Sequence, residues 1–154
     1  MSLPAPESRE IIEALLRQRT RVAFRAHGPS MNPTIRDGET VFVRPADANA
    51  FHIGSVVLYR TADRLALHRI VFNDKQTKRL FLVGDASIAG GEWIPTADVI
   101  GLAEGLRRND AVRRLDAFGH RLVGRLRFAL RPLRRALWNY RQTHHAQTPA
   151  RWDS

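Results

Sequence analysis

Ser30 lies in Gly28-Pro29-Ser30-Met31-Asn32-Pro33, a run of residues that fix backbone geometry, and His68 follows in Leu67-His68-Arg69-Ile70-Val71. A serine hydroxyl attacks a carbonyl usefully only when a base takes its proton and backbone donors receive the oxyanion. Ser30 and His68 supply the nucleophile and the base, and a turn places the Ser30 amide to donate to the oxyanion. Gly28 permits strained dihedrals or close approach of a substrate backbone, and Pro29 stiffens the entry. An imidazole with an ordinary pKa of about 6.5 is suited to accept a serine proton near neutrality. His27, three residues before Ser30, is the rival base. Asp85 in Val83-Gly84-Asp85-Ala86-Ser87 and Glu92 further on are the two acids that could orient an imidazole. Each residue also has an ordinary reading. Gly-Pro-Ser-Met alone fits a surface loop, His68 shares its strand side with Ala66 and Ile70 as a core histidine would, and Asp85 could simply close a turn with Gly84.

The elements that must position these groups are legible from periodicity and turn chemistry. Ile11, Ile12, Leu15 and Leu16 recur at helical spacing, with Ser8 as a cap, predicting an amphipathic helix from Ser8 to about Gln18. From Val22 the pattern becomes short runs of Val, Ile, Leu and Phe cut by turns at Asp37-Gly38, Thr61-Ala62-Asp63, Asn73-Asp74 and Gly90-Gly91. Strands are expected at 22–26, 40–44, 55–60, 65–72, 79–83 and 98–106. Connections this short favour hairpins, so the fold class is mainly β with an antiparallel sheet. Beyond Leu106 an apolar stripe from Val112 through Leu115, Phe118, Leu122 and Leu126 to Tyr140 predicts a helix, with nine arginines between 113 and 141 on its remaining faces and Pro132 as a kink. The expected units are an N-terminal helix at 1–20, a catalytic domain at 21–106 and an Arg-rich helical tail at 107–154.

Ser30-Met31-Asn32-Pro33-Thr34-Ile35, the Asp37-Gly38 turn, the segment Gly54-Ser55-Val56-Val57-Leu58-Tyr59, His68-Arg69-Ile70-Val71 and Val83-Gly84-Asp85 together resemble the signal peptidase I clan of serine peptidases, in the branch whose base is histidine. The resemblance implies coiled antiparallel sheets shared with LexA-type repressors, a Ser30 nucleophile and His68 where lysine-type relatives carry Lys-Arg-Val-Ile. It implies Asp85 as the third catalytic member, with Gly28, Pro29 and Met31 beside the substrate. Two departures stand out. Gly28 occupies the position where relatives often place a second oxyanion donor, and Ala86-Ser87 follows Asp85 where relatives usually continue with Asn, so the alternatives are Asp85 as the orienter, Glu92 as the orienter, or a Ser-His dyad without one.

Composition narrows the function classes. A chain of 154 residues, 44% hydrophobic, holds one core, and the absence of cysteine removes disulfides, thiolate metal sites and a cysteine nucleophile. Only Lys75 and Lys78 are lysines, so a lysine base has almost no candidates, and arginine keeps its proton. His52 and the His144-His145 pair have no ligand spacing, and no glycine-rich phosphate loop occurs; neither metal nor other cofactor is expected. Apolar runs reach only four or five residues, against the roughly 20 of a membrane span, and the first residues do not resemble a signal peptide. These features predict a cytoplasmic protein acting on a peptide or protein precursor.

Of the net charge of +10, residues 1–106 hold +1 and residues 107–154 hold +9. The stripe over 111–141 therefore reads either as an interfacial helix on an anionic membrane surface or as a segment packed on the body with its charges in solvent. No nucleic acid is expected, since the tail lacks interleaved aromatics. A LexA-like self-cleaving regulator and a catalytically silent peptide- or membrane-binding member are the alternative functions. Against the regulator, only some 20 residues precede the fold and the lysine base of that class is absent.

Overall fold

The computed structural model describes residues 6–87 and 90–115, together with Ala129 and Pro132, both helical. One helix and eight strands follow in order: α1 (Pro6–Arg17), β1 (Val22–Arg25), β2 (Thr40–Pro45), β3 (Val56–Arg60), β4 (Leu65–Asp74), β5 (Arg79–Val83), β6 (Glu92–Pro95), β7 (Val99–Arg108) and β8 (Ala111–Arg114). The strands form one sheet in the order β1-β2-β7-β3-β4-β5-β6, every pairing antiparallel, with β8 added to β7. One side of β7 pairs with β2, while the other is divided between β3, at Val99–Leu102, and β8, at Gly105–Arg108. Register shifts between Phe42 and Val43, between Leu58 and Tyr59 and between Ile70 and Phe72 each insert an extra residue. Such bulges bend and twist a strand, which coils the sheet around two cores instead of leaving it flat.

The central strand β3 is buried on both faces, and its alternate residues divide between those cores. Val56 and Leu58 join Ile12, Leu16, Met31, Ile35, Val41, Leu67 and Leu106 in the first; Val57 and Tyr59 join Ala66, Ile70, Leu80, Leu82 and Ile94 in the second. Helix α1 covers the first core with Ile12 and Leu16. Between them stands Glu13, buried with Arg60 Nε of β3 at 2.8 Å and with Arg9 and Arg17, one turn away on either side, each at 3.0 Å. Burial pushes the Glu13 carboxyl up, but the hydrogen bonds from Arg60 and Arg9 outweigh it and hold the group below its ordinary value. The outer face of β4–β6 carries a cross-strand ladder, Phe72 and Phe81 against Trp93 at 5.8 and 5.3 Å between ring centroids, which fixes the short strand β6 on its neighbour.

The expected fold class is observed, and the six expected strands are present within two residues at each end. Several details differ. The helix starts at Pro6 and not behind a Ser8 cap, since proline's fixed φ suits the first helical turn. Strand β4 continues to Asp74 and turns at residues 75–78. Strand β6 was not expected. The boundary placed after Leu106, with a helix following, is also corrected: β7 runs to Arg108 and returns as β8 through Asn109 and Asp110, both at positive φ (48° and 62°). Asn and Asp tolerate that conformation, the one that a two-residue hairpin requires. Leu115, read as part of the helical stripe, is buried in the first core. From residue 116 onward the expected helix lies outside the described residues except at Ala129 and Pro132. No helix among the described residues is long and apolar enough to cross a membrane.

Glu13→Ala is expected to cost roughly 1–3 kcal/mol, the net contribution of hydrogen bonds to a charged group, since Arg9 and Arg60 stay 28% exposed and can be solvated in its absence; urea unfolding measures it. Because the folded carboxyl titrates below the reference value of 4.5, wild type keeps its full advantage above that pH and loses it as pH falls through the lower folded value. The gap between the two proteins should therefore narrow only as the pH falls below 4.5.

Candidate functional site

The segment from His27 to Glu39, between β1 and β2, carries Ser30 on a turn that is held from several directions. Gly28 has φ +97°, which a side chain would oppose, and its amide donates to Asp37 Oδ1 at 2.8 Å. The Asn32 amide donates to Pro29 O at 2.9 Å and that of Ile35 to Met31 O at 3.0 Å. Met31 and Ile35 are wholly buried and anchor the turn in the first core. Met31 is thus a foundation of the turn and not, as expected from the resemblance, a residue lining the substrate cleft; Gly28 stays half-buried and Pro29 exposed. At the far end Arg108 of β7 pairs with Glu39 and donates to Thr34 O at 3.1 Å and Pro33 O at 3.3 Å.

A second loop closes on this turn from β5. The Ala86 amide donates to Ser30 O at 2.9 Å. A Cβ added to Gly84 would fall 2.6 Å from Ser30 O and 3.4 Å from His68 Nε2, so only glycine fits between them. The Ser30 backbone and the Nε2 edge of His68 therefore both border Gly84. Beside Gly84, Asp85 faces the other way. Its oxygens receive Arg69 Nε at 2.7 Å and a second guanidinium nitrogen at 2.5 Å, and Thr34 Oγ1 donates to the same carboxylate. Arg69 also donates to Gly54 O at 2.6 Å, and the two charged side chains are only 5% and 4% exposed. Asp85 consequently joins β4 to the serine turn, and its carboxylate is committed to Arg69 and Thr34, away from the orienting contact with His68 that the sequence suggested.

His68 projects from β4 to the side opposite Arg69. Its Nδ1 lies 2.8 Å from Tyr59 Oη and 3.5 Å from Glu92 Oε1, and the Tyr59 hydroxyl donates to that same Glu92 oxygen. Glu92 is the expected alternative orienter and reaches the ring's surroundings; Tyr59, which connects the two, was not singled out in the sequence. Burial pushes the His68 pKa below its ordinary value, and the negative charges of Glu92 and Asp85 oppose that shift without cancelling it. The ring is thereby a neutral acceptor near neutral pH. The rival, His27, is half-exposed, with Nδ1 3.8 Å from Asp37 Oδ1 on the outer side of the turn. His52 is exposed, and no cluster of three metal-binding side chains occurs among the described residues; His144 and His145 lie outside them.

A half-buried imidazole and a serine turn that both border one glycine fit the arrangement expected of a serine peptidase, and the family comparison agrees. The model of the Peptidase S24-like family matches residues 5–84, more than half of the chain. The chain belongs to the Peptidase S24-like family. No curated protein matches it. The Peptidase S24-like match takes in the serine turn, His68 and Gly84, but it ends before Asp85 and Glu92, so the acids around the site are described by geometry alone. Serine peptidase chemistry is what this family suggests; its finer subtype is a separate matter.

If Asp85 is chiefly the partner of Arg69, Asp85→Ala should destabilise the fold by roughly 3–5 kcal/mol, because it strands a buried guanidinium. The check is chemical denaturation, with thermal unfolding as the second probe. A near-neutral effect on stability would argue against this assignment.

Proposed function

We propose that the protein is a serine endopeptidase in which Ser30 attacks the scissile carbonyl of an extended peptide and His68 is the base. The observation that carries this reading is that the Ser30 backbone carbonyl and His68 Nε2 both border Gly84, 2.6 and 3.4 Å from where its Cβ would lie, which sets the serine turn beside the imidazole. In the first half-reaction Ser30 Oγ bonds to the carbonyl carbon as its proton passes to His68 Nε2. That proton then goes to the amine nitrogen as the C–N bond breaks, leaving an acyl-serine. Water, deprotonated by the same nitrogen, releases the acid and restores the hydroxyl. The resemblance to signal peptidase I supports a leader- or signal-type peptide with small residues before the cleaved bond as substrate. The anionic membrane surface proposed for 111–141 would bring such substrates near, with the basic stripe from residue 116 onward as the contact.

A self-cleaving regulatory role is the second reading, favoured by membership of a family that the sequence also likens to LexA-type domains. The two differ in kinetic order. Self-cleavage within one chain proceeds at a rate independent of protein concentration, whereas a peptidase acting in trans turns over added peptide.

Ser30→Ala should retain the fold and abolish cleavage of a peptide library. His68→Ala should lower the rate by about 10²- to 10⁴-fold, the share of a general base, while His27→Ala changes it far less; the opposite ranking of the two histidines would exchange their roles. Because the base works only when neutral and burial lowers its pKa, kcat/KM should hold from pH 8 to 7 and fall only below the ordinary imidazole value of 6.5. An inflection above that value would contradict a histidine base whose pKa is lowered by partial burial.

A further inference from the structure

His68 and the two groups on its Nδ1 side, Tyr59 and Glu92, come from separate strands, β4, β3 and β6, and their proton inventory is closed. Tyr59 Oη carries one proton and directs it to Glu92 Oε1. A carboxylate offers only acceptors, so it cannot return a proton to the phenol. The 2.8 Å contact between Tyr59 Oη and His68 Nδ1 then needs its proton from the ring. That places the hydrogen of the neutral imidazole on Nδ1 and leaves the lone pair on Nε2, the nitrogen facing Gly84 and the serine turn.

We propose that Tyr59 and Glu92 form a relay that fixes the tautomer and orientation of His68, with Tyr59 as the positioning residue between the ring and the acid. The architecture supports a rigid relay. Tyr59 is 1% exposed, and its ring stands 5.6 Å from that of His68 in the second core. Glu92 shares its face of β6 with buried Ile94, while the intervening Trp93 is held against Phe81 on the other face. Burial first, then the hydrogen bond to Glu92, keeps the Tyr59 hydroxyl protonated far above the ordinary phenol range, so the donor to Glu92 persists at any working pH. The other charges nearby leave this inventory intact: Asp85 is committed to Arg69 and Thr34, and Arg64 acts on Tyr59 only through its field. When Nε2 takes a proton, the ring becomes a cation with Nδ1–H still directed at Tyr59 and with the Glu92 carboxylate 3.5 Å away. The pair thus also stabilises the charged ring, as an orienting acid does in a triad.

The relay rests on His68 being the base of the proposed peptidase, but its tautomer can be read without any substrate. Ring-nitrogen NMR shifts of the labelled full chain at pH 7.5, assigned by the signal lost in His68→Gln, should show the Nδ1–H form predominating. Tyr59→Phe removes the oxygen that accepts this proton and should shift the population toward Nε2–H, the form that an unconstrained histidine side chain favours. Glu92→Gln, at a half-exposed side chain that does not hold the core, should shift it in the same direction, because the new amide can donate to Tyr59 and free the phenol proton for Nδ1. A predominant Nε2–H form in wild type overturns the proposal, as does a tautomer unmoved by both substitutions. In the kinetic arm each variant should lose about 10- to 100-fold in kcat, less than the 10²- to 10⁴-fold share of the general base itself, with KM little changed. Undiminished kcat in a variant whose tautomer has shifted would also overturn the positioning role. A wild-type chain with the Nδ1–H form but no peptidase activity would instead count against the proposed function and leave the relay standing.

Discussion

The buried pair of Arg69 and Asp85 fixes the relation between the three pieces of chain that make the site. Its guanidinium reaches Gly54 O as well, and its carboxylate takes the hydroxyl of Thr34, so the serine turn, β4 and the loop after β5 meet at one charged centre. Removing two charges from water is costly and is repaid only in good geometry with the remaining donors satisfied. An out-of-place turn or a slipped β4–β5 register would strand one charge. That penalty makes the arrangement specific whatever the pair's net contribution to stability.

The pair also explains how two short sequences divide their labour. His68 and Arg69 are adjacent on a strand and therefore point to opposite sides; Gly84 and Asp85 are adjacent in the loop facing them. Arg69 meets Asp85 while His68 Nε2 borders Gly84, so one docking event sets both. Two acids near one imidazole take different parts for the same reason. Asp85 is neutralised by a neighbour that keeps its proton under all conditions, and Glu92 reaches the ring through a phenol and remains half open to solvent. Similar residue types at similar separations in sequence are distinguished by what buries them.

Much of the frame is local and was legible. Short apolar runs cut by turns such as Asp37-Gly38 mark the main strands, while Ile11, Ile12, Leu15 and Leu16 mark the helix, because each signal depends on backbone geometry within a few residues. The failures occur where local signals were weak or served two readings. Strand β6 is four residues long, ends in proline and faces solvent at three positions, so little in its own sequence declares it; the aromatic ladder with Phe72 and Phe81 holds it in place. Val112 and Leu115 satisfy a helical period, yet the Asn109-Asp110 turn sends the chain back as β8 and buries Leu115. Arg108 belonged, on composition, to a basic tail, but it clamps the serine turn through Glu39, Pro33 and Thr34.

By itself the sequence determined the residue types available for chemistry: a serine in a stiff turn, a histidine on a strand, no cysteine and almost no lysine. It also determined the strands and turns that present them, since dihedral preference and alternation are properties of neighbouring residues. Which acid serves which cation was decided only in the tertiary structure. Asp85 follows His68 by 17 positions and Glu92 follows it by 24, and spacing alone left both in contention. The choice was made by strand register and burial, which depend on contacts between residues far apart in the chain. Tyr59 became part of the site for the same reason: an apolar-looking strand residue acquires a role only when folding carries its hydroxyl between the imidazole of β4 and the carboxylate of β6.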